Sequence, residues 1–292
     1  MTKYDPKARF DIDVREEPFR RTAKGRQLMA RIYQPKAAGK NAGPFPVLLD
    51  LHGGAWNNKD RTANEPMDRA IAASGVLVVA IDMTLAPEAP YPANVQDAHY
   101  GVRWLKLKAP AWHGDASTVG ILGSSTGGHM GELVALKPLE PKYAAIPLAE
   151  APGLDAGIRY LVSRSPISDP VARYQQAERM KREPMIKNNQ TYWVPWETIG
   201  EGNPQYILDR REHGTLPPLL IMQGALDDNV LPSIQQKFVA SWRAAGGEAR
   251  LEMFEGCEHE WVAKPGPQTE RAQEMVKAFI ARQVSKTTQP AR

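Results

Sequence analysis

The segment Gly123-Ser124-Ser125-Thr126-Gly127-Gly128 is the first place where residue types and spacing indicate chemistry. It contains the pattern G-x-S-x-G, centred on Ser125. An apolar, β-branched run (118–122) precedes it and a helix-like segment (129–136) follows, so the pattern predicts a tight turn between a buried strand and a helix. Such a turn lifts a serine hydroxyl above the sheet, with helix N-terminal amides aimed at the same point. Ser125 is therefore the candidate nucleophile, and an ordinary Gly/Ser-rich turn is the alternative.

A reactive serine needs a base to accept its proton, and the base needs a partner that fixes its tautomer. His259 is the candidate base, because it lies in a loop between a strand and the last helix, where a side chain can reach over the sheet edge. The acid should follow a strand between Ser125 and His259. Asp227, in the turn 224–230, meets this condition and is favoured over its neighbour Asp228. His99, His113 and His129 are interpreted as structural residues.

The run His52-Gly53-Gly54-Ala55-Trp56 can supply donors for a developing oxyanion. It directly follows the apolar segment 46–51, and glycines at a strand end let backbone amides approach a ligand closely. The amide after the nucleophile, that of Thr126, would complete the hole. His52 is interpreted as a residue that braces this loop.

With these motifs the chain resembles the α/β-hydrolase superfamily, and within it the esterase and lipase branches. The resemblance implies a catalytic triad and three oxyanion-hole amides. The triad would be Ser125, Asp227 and His259, and the amides those of Gly54, Ala55 and Thr126.

Two groups of that superfamily are similar to this chain. The hormone-sensitive-lipase group has a third glycine where this chain has Ala55, and an acidic residue where it has Ser124. The bacterial feruloyl/acetyl-esterase-like group, with a loop close to H-G-G-x-W, fits better. The turn 227–230 also resembles that of prolyl-oligopeptidase-type peptidases, which keeps peptide cleavage open.

The elements around these motifs alternate between strand and helix. A hairpin is predicted at 10–20 and 26–34. Strands are predicted at 46–51, 76–82, 118–122, 144–149, 218–223 and 249–254, and helices at 65–74, 95–108, 129–136, 233–245 and 270–283. This order predicts an α/β fold with a mostly parallel central sheet, flanked by helices, and a site at the carboxyl ends of its strands.

The alternation lapses between Ala151 and Leu216, so we expect residues 1–150 and 217–284 to form the hydrolase core and 151–216 to form a cap insertion. One helix is expected within the insertion, at 171–181. Residues 285–292 are expected to be a flexible tail. The aromatic residues of the insertion either wall a substrate pocket or form the cap's own core; they include Tyr192, Trp193 and Trp196. Trp56 and Trp261 are the better candidates for substrate contact.

Composition narrows the functional classes. The 292 residues carry a net charge of +4 without a polybasic run, which gives no case for nucleic-acid or membrane binding. The one cysteine, Cys257, requires no oxidising compartment, so a cytoplasmic protein is expected. No residues have metal-ligand spacing, and no cofactor is expected. A homodimer is compatible with the sequence, which leaves the oligomeric state open.

These features predict a cofactor-free serine esterase that acts on small carboxylic esters through an acyl-enzyme. An amidase or peptidase with the same triad is the first alternative, and arylformamidases share similar loops. A non-catalytic hydrolase-fold binding protein is the second, although such proteins commonly lack a triad member.

Overall fold

Eight strands form one sheet in the computed structural model, which describes residues 3–36 and 43–285. They are β1 (Ile12–Arg21), β2 (Gln27–Pro35), β3 (Val47–Leu51), β4 (Leu77–Ile81), β5 (Gly120–Ser124), β6 (Leu161–Arg164), β7 (Leu219–Gly224) and β8 (Ala249–Phe254). The order across the sheet is β1-β2-β4-β3-β5-β6-β7-β8. The β1–β2 and β2–β4 pairs are antiparallel and all others are parallel, so every strand except β2 has its carboxyl end at the same edge.

Burial explains why the central strands are apolar. Every residue of β3 to β7 is buried, because helices cover both faces of the parallel part of the sheet. The outer strands β1 and β8 also contain exposed residues, as expected at sheet edges. The predicted hairpin at the amino-terminal edge is confirmed by the pairing of β1 with β2.

The longer helices lie on the two faces of the sheet. Helices within the described residues are α1 (Glu65–Ala72), α2 (Ala93–Lys108), α3 (Thr126–Leu136), α4 (Pro170–Arg179), α5 (Glu183–Tyr192), α6 (Thr198–Glu201), α7 (Pro204–Asp209), α8 (Pro232–Ala244) and α9 (Pro267–Ser285). Adjacent residues of β3 enter opposite cores: Leu49 belongs to the core that includes residues of α2, α3 and α8, whereas Leu48 belongs to the core that includes residues of α1 and α9. The predicted α/β architecture is thus confirmed.

One predicted strand is wrong. Residues 144–149 form turns, and the strand beside β5 is instead β6, Leu161–Arg164. Pro147 lacks the amide that a central strand must donate to a neighbour, whereas β6 pairs with β5 on one side and β7 on the other.

The position of β6 also corrects the expected cap boundary at Ala151. Because β6 is part of the central sheet, the segment inserted between core strands runs from 165 to 218 and contains α4 to α7. The helix expected at 171–181 is α4. The expected tail lies outside the described residues, apart from Ser285, which ends α9. Over the two described ranges, no helix has both the length and the apolar character needed to cross a bilayer.

Close packing of α3 against β3 generates a stability prediction. A Cβ at Gly127 would lie 1.9 Å from the carbonyl oxygen of Leu51 and 2.7 Å from that of His52. We expect Gly127→Ala to lower the free energy of unfolding by about 1–3 kcal/mol or more, although alanine is the better helix former. Equilibrium urea unfolding measures this change.

Gly153→Ala is the matched control. Gly153 is exposed, and no atom lies within 4 Å of the position that a methyl group would take there. This change should alter stability by less than about 0.5 kcal/mol. Equal stability of the two variants would contradict the steric account of the turn.

Candidate active site

Ser125 occupies the turn between β5 and α3 with a backbone that non-glycine residues rarely adopt. Its φ is 53° and its ψ is −112°. Its amide donates to the carbonyl oxygen of Arg164 on the neighbouring strand β6 at 2.8 Å. A side chain at Gly123 would meet the Gly127 carbonyl oxygen at 2.5 Å, so the flanking glycines are required by the tightness of the turn. The turn therefore holds the serine in one strained conformation.

The structure brings together the three side chains predicted to act on one another. The His259 ring lies with Nε2 3.0 Å from Ser125 Oγ and Nδ1 2.8 Å from Asp227 Oδ2. The three residues follow β5, β7 and β8, so all come from carboxyl ends of parallel strands. With Nδ1–H donated to the carboxylate, Nε2 is free to accept the serine proton.

Asp227 is held as a carboxylate although it is buried. Its Oδ1 accepts the amides of Asn229 at 3.0 Å and Val230 at 2.9 Å, and Oδ2 also accepts Gln223 Nε2 at 2.9 Å. Burial raises its pKa, but the hydrogen bond and charge of His259 and the Val230 amide outweigh burial, so the net pKa is lowered. The neighbouring Asp228 instead faces solvent and pairs with Arg182.

The turn that carries Asp227 (residues 224–230, the acid turn) is held by the inserted segment through contacts that the sequence did not predict. Arg173 of α4 donates to Asn229 Oδ1 from Nε at 3.1 Å and from Nη2 at 2.7 Å. The Asp228 carbonyl oxygen accepts Gln176 Nε2 at 3.0 Å and Arg182 Nη1 at 2.9 Å. Residues on both sides of these contacts are far apart in the chain, and no local pattern could have paired them.

The glycine loop after β3 lies directly against the serine. Gly54, Ala55 and Trp56 have φ values of 112°, 53° and 61° in succession. A Cβ at Gly53 would be 3.2 Å from that of Ser125. Within residues 3–36 and 43–285, the amides of Gly54 and Ala55 donate no hydrogen bond. The Thr126 amide has no partner inside α3 because it is one of the first four of the helix. Over the described residues, the serine turn and the loop beside it therefore hold three amides without a backbone acceptor.

Trp56 does not face a substrate as expected. It is only 1% exposed, its ring stacks on Tyr192 at a centroid distance of 4.5 Å, and its indole N–H donates to His129 Nδ1 at 3.3 Å. Trp193 is equally buried in the same cluster. The positive φ values of the loop turn the Trp56 indole toward the inserted segment, where it packs with Tyr192 and Trp193. This packing favours the cap-core alternative over the pocket-wall alternative for Tyr192 and Trp193.

The other two predicted substrate tryptophans differ from each other. Trp261 is 7% exposed and stacks on Phe254 at 4.3 Å, where it belongs to the core beneath α9. Trp196 is 40% exposed and packs against Tyr174 of α4. Of the four tryptophans expected at the substrate, Trp196 is the one with a substantially exposed ring.

Two histidines interpreted as structural are buried and neutral. His129 Nε2 donates to the Gly202 carbonyl oxygen at 2.7 Å while Nδ1 accepts from Trp56, so the ring joins α3, the glycine loop and the insertion. Burial lowers its pKa to about 4. His99 donates to the Pro138 carbonyl oxygen, and burial likewise lowers its pKa to about 4. His52 donates from Nδ1 to the Gly53 carbonyl oxygen at 2.7 Å, at the start of the glycine loop.

A metal centre would need several His, Cys, Asp or Glu side chains that converge on one point. In the part of the chain that the structure describes, no three such side chains are grouped as metal ligands would be.

Comparison with known proteins places this chain in a family. A family model described as the alpha/beta hydrolase fold matches residues 48–263, well over half of the chain. The carboxylesterase NlhH of Mycobacterium tuberculosis is 35% identical over 109 residues, which is 37% of this chain and 33% of NlhH. The esterase LipC of the same species is 26% identical over 207 residues, 69% of this chain and 49% of LipC. The chain thus spans between a third and half of the length of these relatives.

Solved structures show the same fold over most of both chains. An esterase from Pseudomonas putida superposes with a TM-score of 0.75 at 21% identity, covering 98% of this chain and 86% of the other. Esterase B from Lactobacillus rhamnosis superposes with a TM-score of 0.75 at 20% identity, covering 97% and 89%. These comparisons confirm the resemblance that the two glycine motifs predict.

The lowered pKa of His129 generates a prediction for acid stability. Its folded-state pKa of about 4 lies below the ordinary value of 6.5, so the unfolded chain binds this proton first as the pH falls. Stability from neutral His129 is therefore present above about pH 6.5 and lost toward about pH 4, with about 2 kcal/mol lost by about pH 5.

His129→Gln should accordingly lose less stability than the parent protein between about pH 7.5 and pH 5, by about 2 kcal/mol. Denaturant unfolding at the two pH values measures the difference, and the other titrating groups cancel between the proteins. His213→Gln is the control and should retain the parental loss, because His213 lies in a loop and hydrogen-bonds the adjacent Gly214 carbonyl oxygen. An unchanged pH dependence in His129→Gln would contradict a neutral buried ring.

Proposed function

Because this chain belongs to the α/β-hydrolase fold family, we propose that it is a serine carboxylesterase that cleaves small carboxylic esters through an acyl-enzyme. The observation that carries the proposal is the hydrogen-bonded series Asp227–His259–Ser125, with separations of 2.8 Å and 3.0 Å. The names of relatives such as NlhH and LipC support ester hydrolysis as the reaction class.

In the first half-reaction, Ser125 Oγ attacks the ester carbonyl carbon while His259 Nε2 takes the hydroxyl proton. A bond forms between Oγ and carbon, and the carbonyl electron pair moves onto oxygen. Asp227 stabilises the resulting imidazolium through Nδ1–H, and does not itself accept the proton. The tetrahedral intermediate then expels the alkoxide, which leaves as an alcohol after it receives the proton from Nε2.

The oxyanion formed in that step requires donors that are already in place. The unpaired amides of Gly54, Ala55 and Thr126 suit this role, because they are fixed by the backbone and cost no reorganisation. Each donor of this kind typically contributes about 10²- to 10³-fold in rate. The succession of positive φ values at residues 54–56 supports a loop shaped for this purpose.

In the second half-reaction, water replaces the alcohol as the nucleophile. His259 takes a proton from water as its oxygen attacks the acyl carbon, and the same amides hold the second oxyanion. Collapse of this intermediate breaks the bond to Oγ, returns the proton to Ser125 and releases the carboxylic acid.

We further propose that the inserted segment 165–218, which is shorter than the cap expected from the sequence, covers the site and shapes its acyl pocket. Its contacts to the acid turn through Arg173 and Gln176 support this arrangement, as does its packing on Trp56 of the glycine loop. The exposed face of Trp196 is the best candidate among the aromatic residues for contact with substrate.

The proposal is tested with p-nitrophenyl acetate, butyrate and octanoate beside a p-nitroanilide of the same acyl group. We expect the parent protein to hydrolyse at least one ester faster than its anilide, because an anilide leaving group is harder to expel. Ser125→Ala should lower kcat by about 10⁵-fold or more, and Asp227→Asn by about 10⁴-fold, since residues of a triad act as a unit.

Asp228→Asn is the matched control for Asp227→Asn, because the adjacent carboxylate faces solvent and should leave kcat within a fewfold of the parent value. Ester hydrolysis undiminished in Ser125→Ala would refute the nucleophile. Preference for the anilide would favour the amidase or peptidase alternative, and no turnover of any ester or amide would favour a binding protein.

A further inference from the structure

Arg164, the last residue of β6, contacts both the turn that carries Ser125 (residues 123–127, the nucleophile turn) and the loop that carries His259 (residues 255–261, the base loop). Its carbonyl oxygen accepts the Ser125 amide, and its Nε lies 3.4 Å from Ser124 Oγ. Its Nη1 donates to the carbonyl oxygen of His259 at 2.5 Å. One side chain, 4% exposed, thus spans the two loops whose separation sets the distance from Oγ to Nε2.

Burying the Arg164 guanidinium between these two loops costs desolvation free energy. A buried cation is costly unless it is paired, and the nearest carboxylate, that of Glu260, lies 3.9 Å from Nη2 and is half exposed. Burial lowers the pKa of Arg164, while the charges of Glu260 and Asp227 act in the opposite direction. A neutral donor could satisfy one carbonyl oxygen at less cost, so the charge calls for a function of its own.

We propose that Arg164 is a positioning residue for the base: its fork fixes the His259 loop against the nucleophile turn, and its charge opposes protonation of His259 in the resting protein. This inference rests on the proposed esterase function. A resting base must stay unprotonated to accept the Ser125 proton, and a nearby fixed cation extends the pH range over which it does so.

The remaining charges around His259 determine the sign of each expected effect. Asp227, from the turn after β7, favours the imidazolium. Glu260 on the base loop does so too; burial raises its pKa, but the charges of Arg164 and Lys59 outweigh burial and keep it ionised. Lys59, from the loop after β3, pairs with Glu260 at 3.3 Å. Glu258, also on the base loop, is exposed and largely screened by solvent.

The pH dependence of kcat/KM for a p-nitrophenyl ester separates charge from packing. Arg164→Gln removes the cation, so its acid limb should move to higher pH by about 0.5 to 1 unit. Glu260→Gln removes an anion that is half exposed, so its acid limb should move to lower pH by a few tenths of a unit. Opposite shifts from two neighbouring substitutions are not a result that general loosening of the site can give.

Arg164→Lys tests whether the planar guanidinium, with its several donor nitrogens, is required. It keeps a cation near the base, so the acid limb should stay within about 0.3 unit of the parent, while kcat falls about tenfold because an ammonium cannot reproduce the planar fork. Arg103→Gln is the matched control, because Arg103 is a buried arginine of α2 that also donates to carbonyl oxygens, those of His99 and Ile146. It should lower stability and leave the acid limb unchanged.

Histidine-ring NMR titration of His259 in the Ser125→Ala background reads the same equilibrium without turnover. Its midpoint should move up with Arg164→Gln and down with Glu260→Gln, even if no ester proves to be a substrate. If no ester is hydrolysed but both midpoint shifts are observed, the proposed esterase function is contradicted and the role of Arg164 is not. An acid limb or midpoint that does not move in Arg164→Gln, or that moves in the same direction in Glu260→Gln, would overturn the role of Arg164.

Discussion

The contact of 3.0 Å between Ser125 Oγ and His259 Nε2 depends on how closely α3 can approach the ends of β3 and β5. The approach is possible because a hydrogen atom stands at Gly127 where a methyl group would overlap the Leu51 carbonyl oxygen. It places Ser125 at a φ of 53°, a conformation that costs free energy and persists only because the surrounding sheet determines it. Packing of α3 against the parallel sheet therefore fixes the position of the Ser125 hydroxyl.

Two further groups of contacts hold the other participants against that fixed point. The insertion grips the acid turn through Arg173, Gln176 and Arg182. Trp56 anchors the glycine loop by inserting its ring between His129 and Tyr192. Arg173, Gln176, Arg182 and Tyr192 come from the inserted segment, which adds no strand to the sheet, so the insertion stabilises the site even before it meets a substrate.

The sequence predicted best where chemistry restricts the residue type. A serine flanked by glycines after an apolar run, an aspartate in the turn after one strand and a histidine in the loop after another have few alternative explanations when they occur in that order. The strand β6 was missed because four residues are too few for a periodic pattern, and the proline-containing run 144–149 looked longer and more apolar.

The prediction of Trp56 as a substrate contact failed for a different reason. The direction of its side chain is set by three successive positive φ values, which the sequence motif does not reveal. Arg164 could not have been found either, since the carbonyl that it binds belongs to a residue 95 positions away. Local patterns located the proposed reacting groups, whereas the residues that hold them are specified by packing between distant segments.

The central claim is that Ser125 becomes covalently acylated during turnover. Rapid acid quenching of the protein with p-nitrophenyl butyrate, followed by mass spectrometry of the intact chain and its peptides, tests this directly. The account predicts one butyryl group per chain, on the peptide that contains Ser125. Turnover without any acylated protein, or a butyryl group on another residue while Ser125 stays unmodified, would contradict it.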